Sequence, residues 1–197
     1  MKFDLITNKA KHDGIINPND EFYTPDYAIH PLLKYIQPFS KVWCPFDTEE
    51  SNFVKLLINH KCEVRYSHIQ NGIDFFQESH PFDTDYIISN PPYSLKYEVF
   101  NRLFDLKKPF AMLVGVVGLF ESKKRFEMFK ENEFEMMYFD KRISYFKNYS
   151  DQKPSLNPPF SSVYICQGIL PQKIVFENVV KQPTQTTTND SIDIERN

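Results

Sequence analysis

Asn90, Pro91, Pro92 and Tyr93 stand together between a short apolar run, residues 85–89, and a stretch with helical spacing, residues 94–106. An Asn side chain carries one carbonyl acceptor and one NH2 donor. Pro91 has a backbone carbonyl but no N–H, and Pro92 forces Pro91 into an extended conformation. The result is a stiff loop that holds two acceptors in fixed directions. An exocyclic amine, with its two N–H bonds, satisfies both at once. Donating both hydrogens pushes the nitrogen toward tetrahedral geometry and exposes its lone pair. A weak aromatic amine thereby becomes a better nucleophile without a strong base. Tyr93 adds a ring that stacks on a planar base or amide, worth about 1–3 kcal/mol for a base. A Pro-Pro pair is also a plain loop spacer; its place between a strand and a helix favours the chemical reading.

The surrounding elements must hold that loop. Thr24 and Pro25 open a helical stretch that Pro31 shortens or kinks. Residues 41–46 read as a buried strand. The next stretch reads as a helix that Asp47 caps, with Glu50 completing a capping box. Residues 62–69 read as a second strand, and residues 85–89 as a third. Residues 94–106 form a helix with Val99, Phe100, Leu103 and Phe104 on one side. Residues 109–117 read as a strongly buried strand and residues 121–132 as another helix. Residues 134–139 and 161–169 give further strands, and residues 173–180 add an edge strand. Alternating strands and helices predict an α/β fold: a mainly parallel sheet with helices on both faces. The late strands lack an intervening helix and predict an antiparallel hairpin at one edge. Ligands in such folds sit at the C-terminal ends of the strands, where Asn90 lies.

The chain has 197 residues, enough for one domain with a real core, and residues 21–180 are expected to form it. Residues 1–20 read as a polar arm and residues 181–197 as a disordered tail. Aromatics reach 16%, with 19 Phe, which reads first as a Phe-rich core. A net charge of −3 argues against a general nucleic-acid binder but leaves room for a local basic patch. Cys44, Cys62 and Cys166 form no CxxC pair, which suggests free thiols in a reducing setting. The His residues lack ligand spacing, so no metal site is expected. No signal peptide or membrane span is evident, and the expected localisation is cytoplasmic.

The "NPPY" of residues 90–93 resembles the catalytic motif of S-adenosylmethionine-dependent amino-methyltransferases, above all the adenine-N6 DNA methyltransferases. "EFYTPDYAIHPLL", from Glu21, resembles their N-terminal motif, in which a Thr-Pro pair opens a helix beside the methionine part of the cofactor. "YFDKRISYF" followed by "NPPFSSVYIC" is similar to the C-terminal segment of small phage-encoded adenine methyltransferases. The second "NPPF", residues 157–160, is taken as structural. The resemblance implies a Rossmann-like methyltransferase fold, S-adenosylmethionine as cofactor, and Asn90, Pro91, Pro92 and Tyr93 as the catalytic loop. It places Tyr23, Thr24 and Pro25 beside the cofactor.

The match departs in the cofactor loop. The family carries an acidic residue and a Gly-rich turn after the first strand; here the stretch is "WCPFDTEESNF". Cys44 takes the acidic position, Pro45 and Phe46 match, and Asp47, Thr48, Glu49 and Glu50 replace the glycines. Two readings stay open. Asp47 or a neighbouring Glu meets the cofactor's ammonium in a variant loop, or cofactor binding is lost and the fold serves as a binding module. Ser67, at the end of the second strand, takes the place of the family's ribose-binding acid. Asp74 resembles the residue that holds the adenine amine, with Phe75 packing on the ring.

The resemblance implies DNA as partner, with RNA or a protein glutamine as alternatives. An adenine in a duplex must be flipped out or presented on a single strand. Candidate backbone contacts are Lys96, the trio Lys123, Lys124 and Arg125, and the pair Lys141 and Arg142. These 197 residues are not expected to hold a large separate target-recognition domain. Recognition is therefore expected to be loose, to come from residues 149–160, or to be helped by a second copy in a homodimer.

Overall fold

The computed structural model describes residues 23–78, 83–150 and 160–181. The expected arm, the tail beyond Lys181, most of the 149–160 loop and Glu21 lie outside the described residues. Seven strands form one sheet: β1 (Lys41–Cys44), β2 (Glu63–Tyr66), β3 (Tyr86–Ser89), β4 (Phe110–Gly115), β5 (Glu135–Phe139), β6 (Ser162–Gln167) and β7 (Ile174–Glu177). Their order across the sheet is β2-β1-β3-β4-β6-β5-β7. β1 is parallel to β2 and β3, and β3 is parallel to β4. β6 runs antiparallel to both β4 and β5, whereas β7 is parallel to β5. This is the expected mainly parallel, Rossmann-like α/β sheet. The antiparallel pair β5–β6 is present, but β6 wedges between β4 and β5 and leaves β7 as the edge.

Four α-helices accompany the sheet among the described residues: α1 (His30–Leu33), α2 (Asn52–Asn59), α3 (Lys96–Leu106) and α4 (Lys123–Glu131). Pro31 sits in the first turn of α1, so the helix is short but not broken. α2 starts later than the capping-box reading predicts. Ser51, not Asp47, is the cap, and its Oγ accepts from the Phe53 N–H at 3.2 Å. Asp47 is drawn away from capping by hydroxyl partners described below. α3 ends at Lys107, whose φ of 53° closes the last turn. Ser122 caps α4 by accepting from the Arg125 N–H at 3.3 Å.

Two cores lie on the two faces of the sheet. One packs α1 and α2 against Val42, Cys44, Ile88, Leu113 and Tyr164. The other packs α3 and α4 against Trp43, Ile87, Met112 and Val163. Adjacent residues such as Val42 and Trp43 serve opposite cores because side chains alternate along a strand. The Phe-rich composition is spent here: Phe129 lies 5.1 Å from Phe100, 5.1 Å from Phe120 and 5.0 Å from Phe134, ring centre to ring centre. All three cysteines are free and buried. Among the described residues, no helix is long and apolar enough to cross a membrane, and no cluster of metal-ligating side chains occurs.

Candidate active site at the ends of the parallel strands

β1 and β3 are neighbours, yet the chain leaves β1 toward β2 on one side and leaves β3 toward β4 on the other. Such a reversal opens a crevice beyond the strand ends, the usual ligand position in open α/β sheets. Asp47 follows β1 into it, and the Asn90–Pro91–Pro92–Tyr93 loop follows β3.

The loop is held from several directions. Asn90 Nδ2 donates to Thr24 Oγ1 at 3.2 Å. Because amide nitrogen and oxygen sit on one planar carbon, that bond also fixes the direction of the Asn90 carbonyl. Pro91 is buried. Pro92, with φ −60° and ψ 129°, precedes a single 3-10 turn at Tyr93–Leu95. The Tyr93 hydroxyl donates to the Tyr145 hydroxyl at 2.9 Å, which donates to Ser162 Oγ at 2.8 Å. The Phe160 ring meets Tyr93 edge-on at 5.5 Å. Lys96, expected at a phosphate, instead turns inward. It is 8% exposed, and its Nζ donates to the Val117 carbonyl at 2.7 Å.

Asp47 is buried, and both carboxylate oxygens accept hydroxyl bonds, one from Ser51 and one from Ser89. Ser89 ends β3 immediately before Asn90, so Asp47 ties the loop after β1 to the root of the Asn-Pro-Pro-Tyr loop. No described cation pairs with Asp47. Burial raises its pKa to about 6, against the opposing pull of the two hydroxyls. Asn52 Nδ2 donates to the Thr24 carbonyl at 2.9 Å. The Tyr149 hydroxyl donates to Ser51 Oγ at 3.3 Å, and its ring meets Tyr23 edge-on at 4.7 Å. Tyr23 itself pairs with Phe146 in an isolated antiparallel bridge. Pro25 precedes the 3-10 turn Asp26–Ala28. The fold thus brings Thr24, Asp47 and Asn90 into one polar cluster. Ser51, Asn52, Ser89 and Tyr145 complete it and were missed in the sequence, and Tyr149, expected only as the start of the recognition stretch 149–160, joins them. Ser89, next to Asn90, was the only one with a usable signal.

Of the other cofactor candidates, Ser67 adjoins the cluster, its carbonyl accepting from the Asp47 N–H at 3.1 Å, while Asp74 and Phe75 lie farther along the chain beyond β2. Cys44 ends β1 and is fully buried, which pushes its thiol pKa well up. Pro45 is buried, and its carbonyl faces Ser67 Oγ at 3.5 Å. Ser67 also accepts from Trp43 Nε1 at 3.0 Å. Asp74 closes a local turn: its carboxylate accepts from the Phe76 N–H at 2.9 Å and from Gln77 Nε2 at 3.2 Å. It borders a cleft of about 190 Å3 with Gly72, Ile73, Gln77 and Glu78. Phe75 is 2% exposed; its ring lies 4.8 Å from Phe46 and 5.5 Å from Trp43, with the Arg102 guanidinium 5.1 Å away. A wider cleft of about 490 Å3, bordered by Phe39, Tyr86 and Pro109, lies at the opposite ends of the strands. It shares no residue with the cluster.

These residues fit one end of the implied cofactor well. A buried carboxylate without a cation is costly, and an ammonium or sulfonium beside Asp47 would relieve that cost. No residue between Pro45 and Ser51 has a positive φ, so this turn keeps its course without glycine. At the nucleoside end, Ser67 and Asp74 already spend their polar groups inside the protein. Of the basic candidates, Lys123 and Lys124 are exposed at the start of α4, and Arg125 is half-buried. Lys124 Nζ lies 5.7 Å from the ring of Tyr97, just beyond the loop in α3. Lys141 is exposed, pairs with Asp140 at 3.4 Å and donates to the Val179 carbonyl at 3.2 Å, while Arg142 is exposed.

No protein-family model and no curated protein matches the chain. Among solved structures, a protein assigned as a modification subunit of a type I restriction enzyme from Vibrio vulnificus YJ016 aligns with a TM-score of 0.47 and 14% identity. The alignment covers 93% of this chain and 52% of that one, so the chain spans about half that protein's length.

Proposed function

We propose that residues 21–180 form a methyltransferase domain that moves a methyl group from S-adenosylmethionine to the N6 amine of adenine in DNA. One observation carries the reading. The Asn-Pro-Pro-Tyr loop leaves β3 at the sheet's reversal point, its Asn90 amide set by Thr24, beside a buried carboxylate with no cation partner.

Asp47 would hold the ammonium of the cofactor's amino-acid end, with Tyr23 and Tyr149 walling that end. When bound, the cofactor supplies an electrophilic methyl on a sulfonium. Asn90 and the Pro91 carbonyl would accept the two amine hydrogens of the flipped base and turn its lone pair toward that methyl. Tyr93 would stack on the base. The amine nitrogen held by Asn90 and Pro91 would take that methyl as its bond to sulfur breaks, and would lose its proton to solvent. Positioning supplies much of the acceleration. Lys124 stands near enough to the loop to meet a backbone phosphate.

Calorimetry with S-adenosylmethionine, followed by methylation assays on DNA, RNA and a glutamine peptide, tests the proposal. Micromolar binding with methyl transfer to adenine in DNA, lost in Asn90→Ala, supports it. The internal bonds of Ser67 and Asp74 favour a second reading, a binding module of the same fold without transfer activity. A folded protein that binds no cofactor selects that second reading.

A further inference from the structure

β7 is an edge strand that carries exposed apolar side chains. Ile174 is 50% exposed and Phe176 78%, and Val180, just beyond, is 77% exposed. The Phe176 ring is already ordered against Tyr138 of β5, at 5.9 Å and 29°. The Lys173 and Glu177 carbonyls accept from the Met136 and Asp140 N–H groups. In a parallel ladder alternate residues face the same neighbour. Val175 therefore also bonds toward β5, and the N–H and C=O groups of Ile174 and Phe176 point away from it, to an edge that no described strand covers.

The segment 173–177 reads Lys-Ile-Val-Phe-Glu. Turned antiparallel on itself about Val175, it sets Lys173 opposite Glu177 and Ile174 opposite Phe176, twice each. This register also uses the open backbone groups correctly, because Ile174 and Phe176 become the pair that exchanges both hydrogen bonds. Opposite charges and an aromatic–β-branched pair each favour such a register. Moving the centre to Ile174 or to Phe176 loses the charge match and sets Phe176 opposite Gln172 or opposite its own copy, and in the second case leaves Ile174 opposite Asn178. Glu177 is fixed in place by Lys34 at 2.5 Å and Tyr35 at 2.7 Å.

We propose that two copies of this chain pair through β7, antiparallel and centred on Val175, into a dimer with one continuous sheet. The inference does not depend on the proposed activity. β7 runs parallel to β4 through β6 and β5, so the two candidate sites open in opposite directions. A second copy held this way cannot complete the partner's target recognition.

Sedimentation velocity of the full chain tests the association. The expected result is a shift from 23.4 kDa toward twice that mass as concentration rises to about 200 µM. Phe176→Lys should weaken the dimer by about tenfold or more with unchanged melting, since the side chain is exposed. Cysteine cross-linking tests the register. In a non-hydrogen-bonded antiparallel pair the Cα atoms are about 4.5 Å apart, within disulfide reach. Val175→Cys should therefore oxidise to a covalent dimer. Ile174→Cys, whose copies would lie about 8 Å apart, should not. The native thiols are buried and do not compete. A chain that stays monomeric throughout, or an Ile174→Cys that cross-links as fast as Val175→Cys, overturns the proposal.

Discussion

In the proposed reaction Asn90 and Asp47 would divide the work of the candidate site, one meeting the acceptor amine and one the cofactor's cation. Asn90→Ala should lower methyl transfer by about 100-fold or more, as loss of one well-placed stabilising group does elsewhere. Cofactor affinity and melting temperature should change little, which single-turnover assays and calorimetry check. Asp47 carries a pH signature. Its pKa stands at about 6 in the fold, raised by burial from the ordinary aspartate value of 3.8. The folded state therefore holds more protons than the unfolded chain between those values. Its contribution to stability is full below about pH 4 and falls as pH rises through 6. The loss amounts to about 3 kcal/mol at neutral pH. Asp47→Asn should abolish this fall in urea titrations between pH 4 and 7. Cofactor affinity of the unaltered protein should rise over the same interval, because only the ionised carboxylate attracts an ammonium, and Asp47→Asn should lose that rise as well.

At the scale of elements, β4 and the chain entering β6 brace the Asn90–Tyr93 loop. A Cβ added at Gly115, the end of β4, would sit 2.8 Å from the Phe160 ring, which itself packs on Tyr93. Gly115→Ala should therefore push Phe160 aside, loosen Tyr93 and reduce transfer more than it reduces cofactor binding. Comparing the rate constant for transfer with calorimetric affinity checks the order of effects. The aromatic core between α3, α4 and the sheet is a separate contributor. Phe129 is buried among Phe100, Phe104, Phe120 and Phe134. Phe129→Ala should cost about 3–5 kcal/mol in denaturant titration. On the other side of α3, Arg102 donates to the Phe76 carbonyl at 3.3 Å and to the Glu78 carbonyl. It thereby fastens the Asp74 turn to the helix that follows the Asn90–Tyr93 loop.

For the whole molecule, electrostatics would set how the proposed DNA target is met. The net charge is −3, and the exposed cations Lys123, Lys124, Lys141 and Arg142 follow the C-terminal ends of β4 and β5, the rim on which Asn90 lies. With so few phosphate contacts, DNA affinity should fall only gently with salt. A slope of about −0.9 per neutralised phosphate in log affinity against log salt is expected. The double variant Lys123→Ala with Lys124→Ala should flatten that slope by up to about 2, measured by fluorescence anisotropy.

Much of this was legible in the sequence because it depends on local pattern. Buried strands and amphipathic helices announce themselves by period, and stiff loops by proline. The order of elements and the Asn90–Tyr93 loop at a strand end followed directly. Tertiary structure alone decided what local pattern cannot encode. Asp47 reads as a helix cap, yet the fold brings up Ser89 from 42 residues away, and Ser51 takes over the cap. Lys96 reads as a phosphate contact, but packing carries its ammonium to the Val117 carbonyl. β6 follows β5 in sequence but lies between β5 and β4, because its alternate side chains fill both cores at once. In each case a polar or apolar group found its partner across the sheet, at a distance along the chain that no short window spans.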